Sequence, residues 1–165
     1  MTTATTTSAN MQDAQDARDA IVIERLFDAP IDRIWQLWTD AEHFKQWYGP
    51  QGFSVPVAKL DTHAGGTRHV CMQRGEMTFW TVGEVLESTP PTHLVYTESM
   101  ADDQGNIISK GNAPVATQVT VILEDMNGRT KMTMTHAGVG QGAKGGSQGW
   151  QQAFDKLEVY LNQTS

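Results

Sequence analysis

Hydrophobic and polar positions along the chain change period several times, and each change predicts an element. IVIERLF, Ile21 to Phe27, is β-branched and apolar and predicts a first strand. After Asp28 the spacing turns helical. Ile31, Ile34, Trp35 and Trp38 recur on one side, with Pro30 where a first helical turn tolerates a missing N–H. Thr39 to Glu42 has the form of a capping box and predicts a second short helix, with Phe44, Trp47 and Tyr48 near one side. Gly49-Pro50 ends it, because proline forbids continuation and pushes its predecessor towards extended geometry.

Extended segments follow in series. FSVPVAKL contains a proline, which predicts an edge strand or a bulge. Ala64-Gly65-Gly66 turns the chain into TRHVCMQR, Gly75-Glu76 turns it into MTFWTVGEVLE, and Pro90-Pro91 breaks it before THLVYTES. ADDQGNIISKGNAP reads as a long polar loop. ATQVTVILED and RTKMTMTH flank Asn127-Gly128, the strongest short hairpin signal in the chain. Val119, Val121 and Leu123 alternate on one strand, as do Met132, Met134 and His136 on its partner, so these predict one shared buried face. The closing GWQQAFDKLEVYL puts Trp150, Phe154, Leu157 and Leu161 on one helical stripe. Runs of strands followed by a helix predict an α+β fold, a curved antiparallel sheet covered by the last helix.

Bulk properties narrow the function. A net charge of -7 and the lack of any Lys/Arg run disfavour nucleic acid and anionic membrane surfaces. Cys71 is the one cysteine, so no intrachain disulfide and no cysteine-based zinc site can form, which fits a cytoplasmic protein. Residues 1–19, rich in Thr, Ala, Asp and Gln, offer little to bury; they lack the basic start and apolar run of a secretion signal or membrane span and predict a disordered tail. The single domain is expected over 20–165. No metal-ligand spacing links His63, His69 and His93, and AGVGQGAKGGSQG lacks the phosphate-loop pattern, so neither metal nor cofactor is expected. That glycine-rich stretch reads as a lid, a hinge or a plain connector.

Several phrases, in shared order, resemble the START-like superfamily with its helix-grip fold, and in particular the branch named after the activator of heat-shock-protein-90 ATPase. They are IERLFDAPIDRIWQLWTDAEHFKQWYGPQGF, LDTHAGGTRHVCM, GEVLESTPPTHLVYTE, TQVTVILEDMNGRTKMTMTH and GWQQAFDKLEVYL, spanning Ile21 to Leu161. Where relatives often carry arginine, the LDTHAGG phrase has His63, a titratable group in place of a permanent charge. The resemblance implies two short helices after strand 1, a sheet of six to seven strands and a deep cavity between sheet and helix. Members bind lipids, polyketides or other apolar molecules there, a few catalyse reactions, and the eukaryotic namesake domain acts on a chaperone. Fold fixes the scaffold better than the task.

On that frame the expected ligand-binding residues are Trp47, Phe53, Val70, Met72, Trp80, Tyr96, Met134, His136, Trp150 and Phe154, with no catalytic residue assigned. The rings of Trp47, Tyr48 and Phe53 either seal the corner into the core or line a pocket mouth. Cys71 falls on the opposite parity from Val70 and Met72. Arg68 shares their face; its expected place is the strand end, reaching water by its long stem, the alternative being burial against an anionic partner or ligand. His136 suits a hydrogen-bonded structural group, and also a general base or ligand-orienting donor. Burying about 300 Å² of apolar ligand surface yields about 7 kcal/mol gross. Association removes at least about 4 kcal/mol of it. Tight binding therefore needs polar groups such as His136 or Tyr96. The leading expectation is binding of a small apolar or amphipathic molecule; the alternatives are a cyclase- or hydrolase-like enzyme using His136 as base, and a protein-interaction module with an apolar patch around Trp47 and Tyr48.

Overall fold

The computed structural model describes residues 20–108, 116–140 and 143–164. The expected N-terminal tail and the middle of the polar loop lie outside those residues. Strand β1 (Ile21–Phe27) leads into α1 (Ile31–Thr39) and the single-turn α2 (Ala41–Phe44). Six strands follow: β2 (Ser54–Leu60), β3 (Thr67–Arg74), β4 (Met77–Thr89), β5 (His93–Ala101), β6 (Thr117–Met126) and β7 (Arg129–Ala137). Helix α3 (Ala143–Thr164) closes the chain. The strands form one antiparallel sheet in the order β1-β7-β6-β5-β4-β3-β2. It curls around α3 as a half-barrel, the α+β helix-grip arrangement.

Local chemistry explains most boundaries. Pro30 stands at the N-cap of α1 without a side-chain cap, and Ile34, Leu37 and Trp38 are its buried stripe. The capping box does not form. Asp40, not Thr39, caps α2 by accepting from the Glu42 N–H, while the Thr39 hydroxyl turns back to the carbonyl of Trp35. A carboxylate one residue later wins because it meets the free N–H directly. β2 is an edge strand whose register shifts between Ser54 and Val57, where Pro56 removes a ladder donor. Asn127 and Gly128 both take positive φ, 60° and 96°, as a two-residue hairpin between paired strands requires.

Pairing register sorts the side chains. Ile21, His136 and Val119 lie in one cross-strand row, with Tyr96 and Val85 continuing it. Ile23, Met134, Val121 and Leu94 form the next row. All face α3, and Trp150, Ala153, Phe154, Leu157 and Leu161 answer from the helix as buried residues. Arg25 on β1 bonds to Asp155 at 2.9 Å and to Gln151 at 2.7 Å, fixing the helix along the sheet margin.

The glycine-rich stretch departs from expectation. From Ala143 it is helix, so α3 begins two turns before Trp150. Glycine lowers helix propensity, but two of these glycines lie close against neighbouring side chains. A Cβ at Gly146 would come within 2.8 Å of Ile21 Cδ1, and one at Gly149 within 3.2 Å of Pro50 Cγ. Close approach of the helix to β1 and to the 49–50 corner outweighs propensity.

Candidate functional site

Most of the seam between sheet and helix is solid. Trp38, Phe44, Trp47 and Phe154 are fully buried, and Trp38 meets Trp47 edge-on at 4.8 Å between ring centroids. Trp47 donates its indole N–H to the carbonyl of Leu37 at 2.8 Å. Space remains at one end, beside the first turns of α3. A cleft of about 180 Å³ opens there, walled by Tyr48, Gly49 and Pro50 on one side and by Gly145, Gly146, Gly149, Trp150 and Ala153 on the other. Met72, Glu98 and His136 close it from the sheet, and the surface is mostly apolar. A larger depression of about 260 Å³ near Leu26, Asp28 and Glu158, beside the C-terminal end of α3, is predominantly polar and touches none of the expected site residues.

The polar groups around the cleft form a directed chain. Indole N–H can only donate, so the 3.1 Å contact from Trp150 Nε1 makes His136 Nδ1 an acceptor. The proton then resides on Nε2, which donates to Thr117 Oγ1 at 2.8 Å. Thr117 in turn donates to the carbonyl of Glu98 at 3.1 Å. His136 is therefore a neutral imidazole with both nitrogens occupied. Burial pulls its pKa below the ordinary histidine value, with the Glu98 carboxylate opposing. Tyr48 donates its hydroxyl to Glu98 Oε2 at 2.8 Å, and burial followed by that carboxylate raises its pKa well above the usual phenol range.

Arg68 is not at the water's edge; it is 3% exposed, which overturns the expectation of a snorkelling side chain. Its guanidinium carbon sits 3.6 Å from the centroid of Tyr96 and 5.3 Å from that of Phe44. Nη1 has no hydrogen-bond partner, and no carboxylate among the described residues forms an ion pair with it. Arg68 pairs with Gly83 across the ladder, and its guanidinium lies over the Tyr96 ring of β5. Cation–π attraction replaces the missing acid. The hydroxyl of Tyr96 approaches that of Tyr48 without reaching hydrogen-bond geometry and is itself unpartnered, and burial raises its pKa.

The aromatic corner from Phe44 to Phe53 is held by a lysine. Lys156 on α3 sends Nζ to three carbonyls, those of Tyr48 and Pro50 at 3.2 Å and of Phe53 at 3.3 Å. These carbonyls sit where the chain turns through Gly49 and Gly52, both at positive φ, and that of Pro50 also accepts from the Phe53 N–H at 3.1 Å. Burial draws the lysine pKa down from its ordinary value. The Gln51 N–H adds a bond to Gln152 Oε1 at 3.0 Å.

Of the ten residues expected from sequence, Met72, His136 and Trp150 line the cleft. Trp47, Val70, Tyr96, Met134 and Phe154 are buried behind it, among the packed residues. Phe53 lies partly exposed against Phe79, ring centroids 5.8 Å apart. Trp80 pairs with Cys71 on the face turned away from α3, its ring tilted against that of His69 with centroids 4.7 Å apart. Sequence reasoning did not single out Glu98, although its parity with Leu94 and Tyr96 puts it on the inner face. Nor did it find Ala153 or the glycines of α3. His63 is exposed and pairs with Asp61 at 2.9 Å in the turn before β3. No group of metal-ligating side chains is found among the described residues, and no helix there is long and apolar enough to cross a membrane.

Comparison with known proteins matches this architecture. The family described as Activator of Hsp90 ATPase homolog 1-like protein matches residues 28–162. A solution structure from Staphylococcus epidermidis is 27% identical with a TM-score of 0.75, over 89% of this chain and 92% of that one. The crystal structure of an AHSA1 protein from Silicibacter pomeroyi is 23% identical with a TM-score of 0.75, over 88% and 99%. A protein from Arthrobacter aurescens has a TM-score of 0.78 at 21% identity, over 89% and 88%. These last two likenesses concern the fold alone. No curated protein matches the chain.

Proposed function

Because the chain belongs to the family of Activator of Hsp90 ATPase homolog 1-like proteins, we propose that it is a binding protein holding a small, apolar-bodied molecule between sheet and helix. One observation carries the reading. Three glycines and Ala153 on one face of α3 leave about 180 Å³ of apolar-walled room, while aromatic rings fill the rest of the seam. Side chains have been kept small where the wall faces the cleft. Drug-sized ligands occupy pockets of roughly 300–1,000 Å³, so this space suits a single ring or short branched chain. A long fatty acid or a polycyclic polyketide exceeds it.

Binding is favoured over turnover because both nitrogens of His136 are engaged and no serine, threonine or cysteine lines the cleft among the described residues. A general base needs a free lone pair aimed at the reacting proton. The interaction-module alternative required an exposed apolar patch at Trp47 and Tyr48, and both are buried. The test is an NMR titration with a library of monocyclic compounds. Shifts should cluster at Trp150, Gly149 and Met72 and vanish in Ala153→Leu, which fills the cleft. Shifts that persist unchanged in Ala153→Leu would place the ligand elsewhere.

A further inference from the structure

We propose that Glu98 is the recognition residue of the cleft and that the molecule taken there presents a hydrogen-bond donor, an alkylammonium group being the best match. The inference rests on the cleft-binding reading above and specifies its ligand. Its basis is which polar atoms remain free. Three side chains lining the cleft can donate, and all three are committed: Tyr48 to Glu98, Trp150 to His136, and His136 to Thr117. Glu98 accepts at Oε2, and no donor among the described residues reaches Oε1. Among the described residues, the side-chain functions left free to a ligand in the cleft are therefore acceptors, and the Glu98 carboxylate is the strongest of them. A carbonyl or carboxylate head group would meet no available side-chain donor among the described residues.

Charge and shape point the same way. Among the described residues lining the cleft Glu98 is the only charged one, and it takes part in no ion pair among them. A protonated amine makes a charge-assisted bond to a carboxylate. The rings of Tyr48 and Trp150, edge to face at 5.6 Å, add aromatic surface against which a cation is attracted. The volume of about 180 Å³ exceeds the roughly 150 Å³ of a cavity known to hold benzene, so a ring with a one-carbon arm fits. Two features favour an anion instead: the first turn of α3, worth about half a positive charge, and Arg68. Arg68, however, is stacked on Tyr96 and is not among the residues lining the cleft. An anion entering the cleft meets Glu98 first.

The experiment compares benzylammonium, benzyl alcohol and benzoate, one ring with three head groups, titrated into the full chain at fixed ionic strength. The readout is the Trp150 indole N–H and the Gly149 amide. Benzylammonium is expected to bind about tenfold or more tighter than benzyl alcohol, with benzoate weakest. Glu98→Gln keeps an acceptor for Tyr48 and should lower ammonium affinity to that of the alcohol, leaving the alcohol nearly unchanged. In the unaltered protein, added salt should weaken the ammonium complex selectively. Equal affinity for ammonium and alcohol, a salt-insensitive ammonium complex, or benzoate as the tightest ligand overturns the role of Glu98 while cleft binding stands. If none of the three moves Trp150 or Gly149, cleft binding itself is lost.

Discussion

Replacing Lys156 by methionine tests how the aromatic corner becomes a wall of the cleft. The substitution keeps an unbranched stem and removes the ammonium, releasing the carbonyls of Tyr48, Pro50 and Phe53 together. A hydrogen bond to a charged group contributes about 1.5–3 kcal/mol when dry. Lys156 is only half-buried, so water can replace part of each bond and about 1 kcal/mol apiece is the better figure. Relief of the lysine's own desolvation and added apolar contact return about 1 kcal/mol. The net expectation is a loss of about 2 kcal/mol. Urea unfolding should show a lower midpoint at unchanged m-value. Amide shifts should be concentrated at Gly49, Gly52 and Phe53. An unchanged midpoint with those amides unmoved would mean that ring packing alone holds the corner and that the lysine only lies over it.

Further predictions concern single groups. Gly83→Ala would drive a Cβ to within 1.7 Å of the Thr97 carbonyl oxygen, a backbone atom that cannot step aside, so a loss above about 4 kcal/mol or failure to fold is expected by thermal melting. His136 is neutral in the fold with its pKa below 6.5, so below pH 6.5 the unfolded chain takes up a proton that the fold refuses. Stability should fall as pH drops from 6.5 towards that lowered pKa, and His136→Gln should flatten this slope in urea titrations at pH 5 to 7. The Cys71 thiol is buried and burial raises its pKa, so a thiol reagent at neutral pH should react slowly until denaturant is added. Arg68→Met trades an orphaned donor for lost cation–π contact, terms of about 1–3 and about 2 kcal/mol. It should change stability by less than about 1 kcal/mol, whereas a large loss would reveal an acidic partner.

Alternation and turn chemistry made the scaffold legible. Val119 to Leu123 against Met132 to His136, joined by Asn127-Gly128, have one way to bury an apolar face. The proline in FSVPVAKL likewise announced an edge strand with an irregular register. The helix start was misread because Gly145, Gly146 and Gly149 carry the propensity of a loop. Only the positions of Ile21 and Pro50, more than ninety residues away in sequence, show how little room a side chain has at Gly146 and Gly149, while the space at Gly145 is open. Arg68 was misplaced for a related reason. Its burial rests on the Tyr96 ring two strands away in the sheet, and no local pattern encodes that contact. Lys156 reads as an ordinary solvent-facing helix residue until the three corner carbonyls it meets are known. Of the aromatic residues singled out from sequence, Trp150 lines the cleft, and the small residues that leave space beside it carry no sequence signal of that role.

The most direct measurement is a crystal structure of the chain soaked with benzylammonium. The account predicts the ring between Trp150 and Tyr48, its nitrogen within hydrogen-bond distance of Glu98 Oε1, and α3 unmoved. A cleft closed by Met72 and Trp150 with the compound absent or bound elsewhere would contradict it.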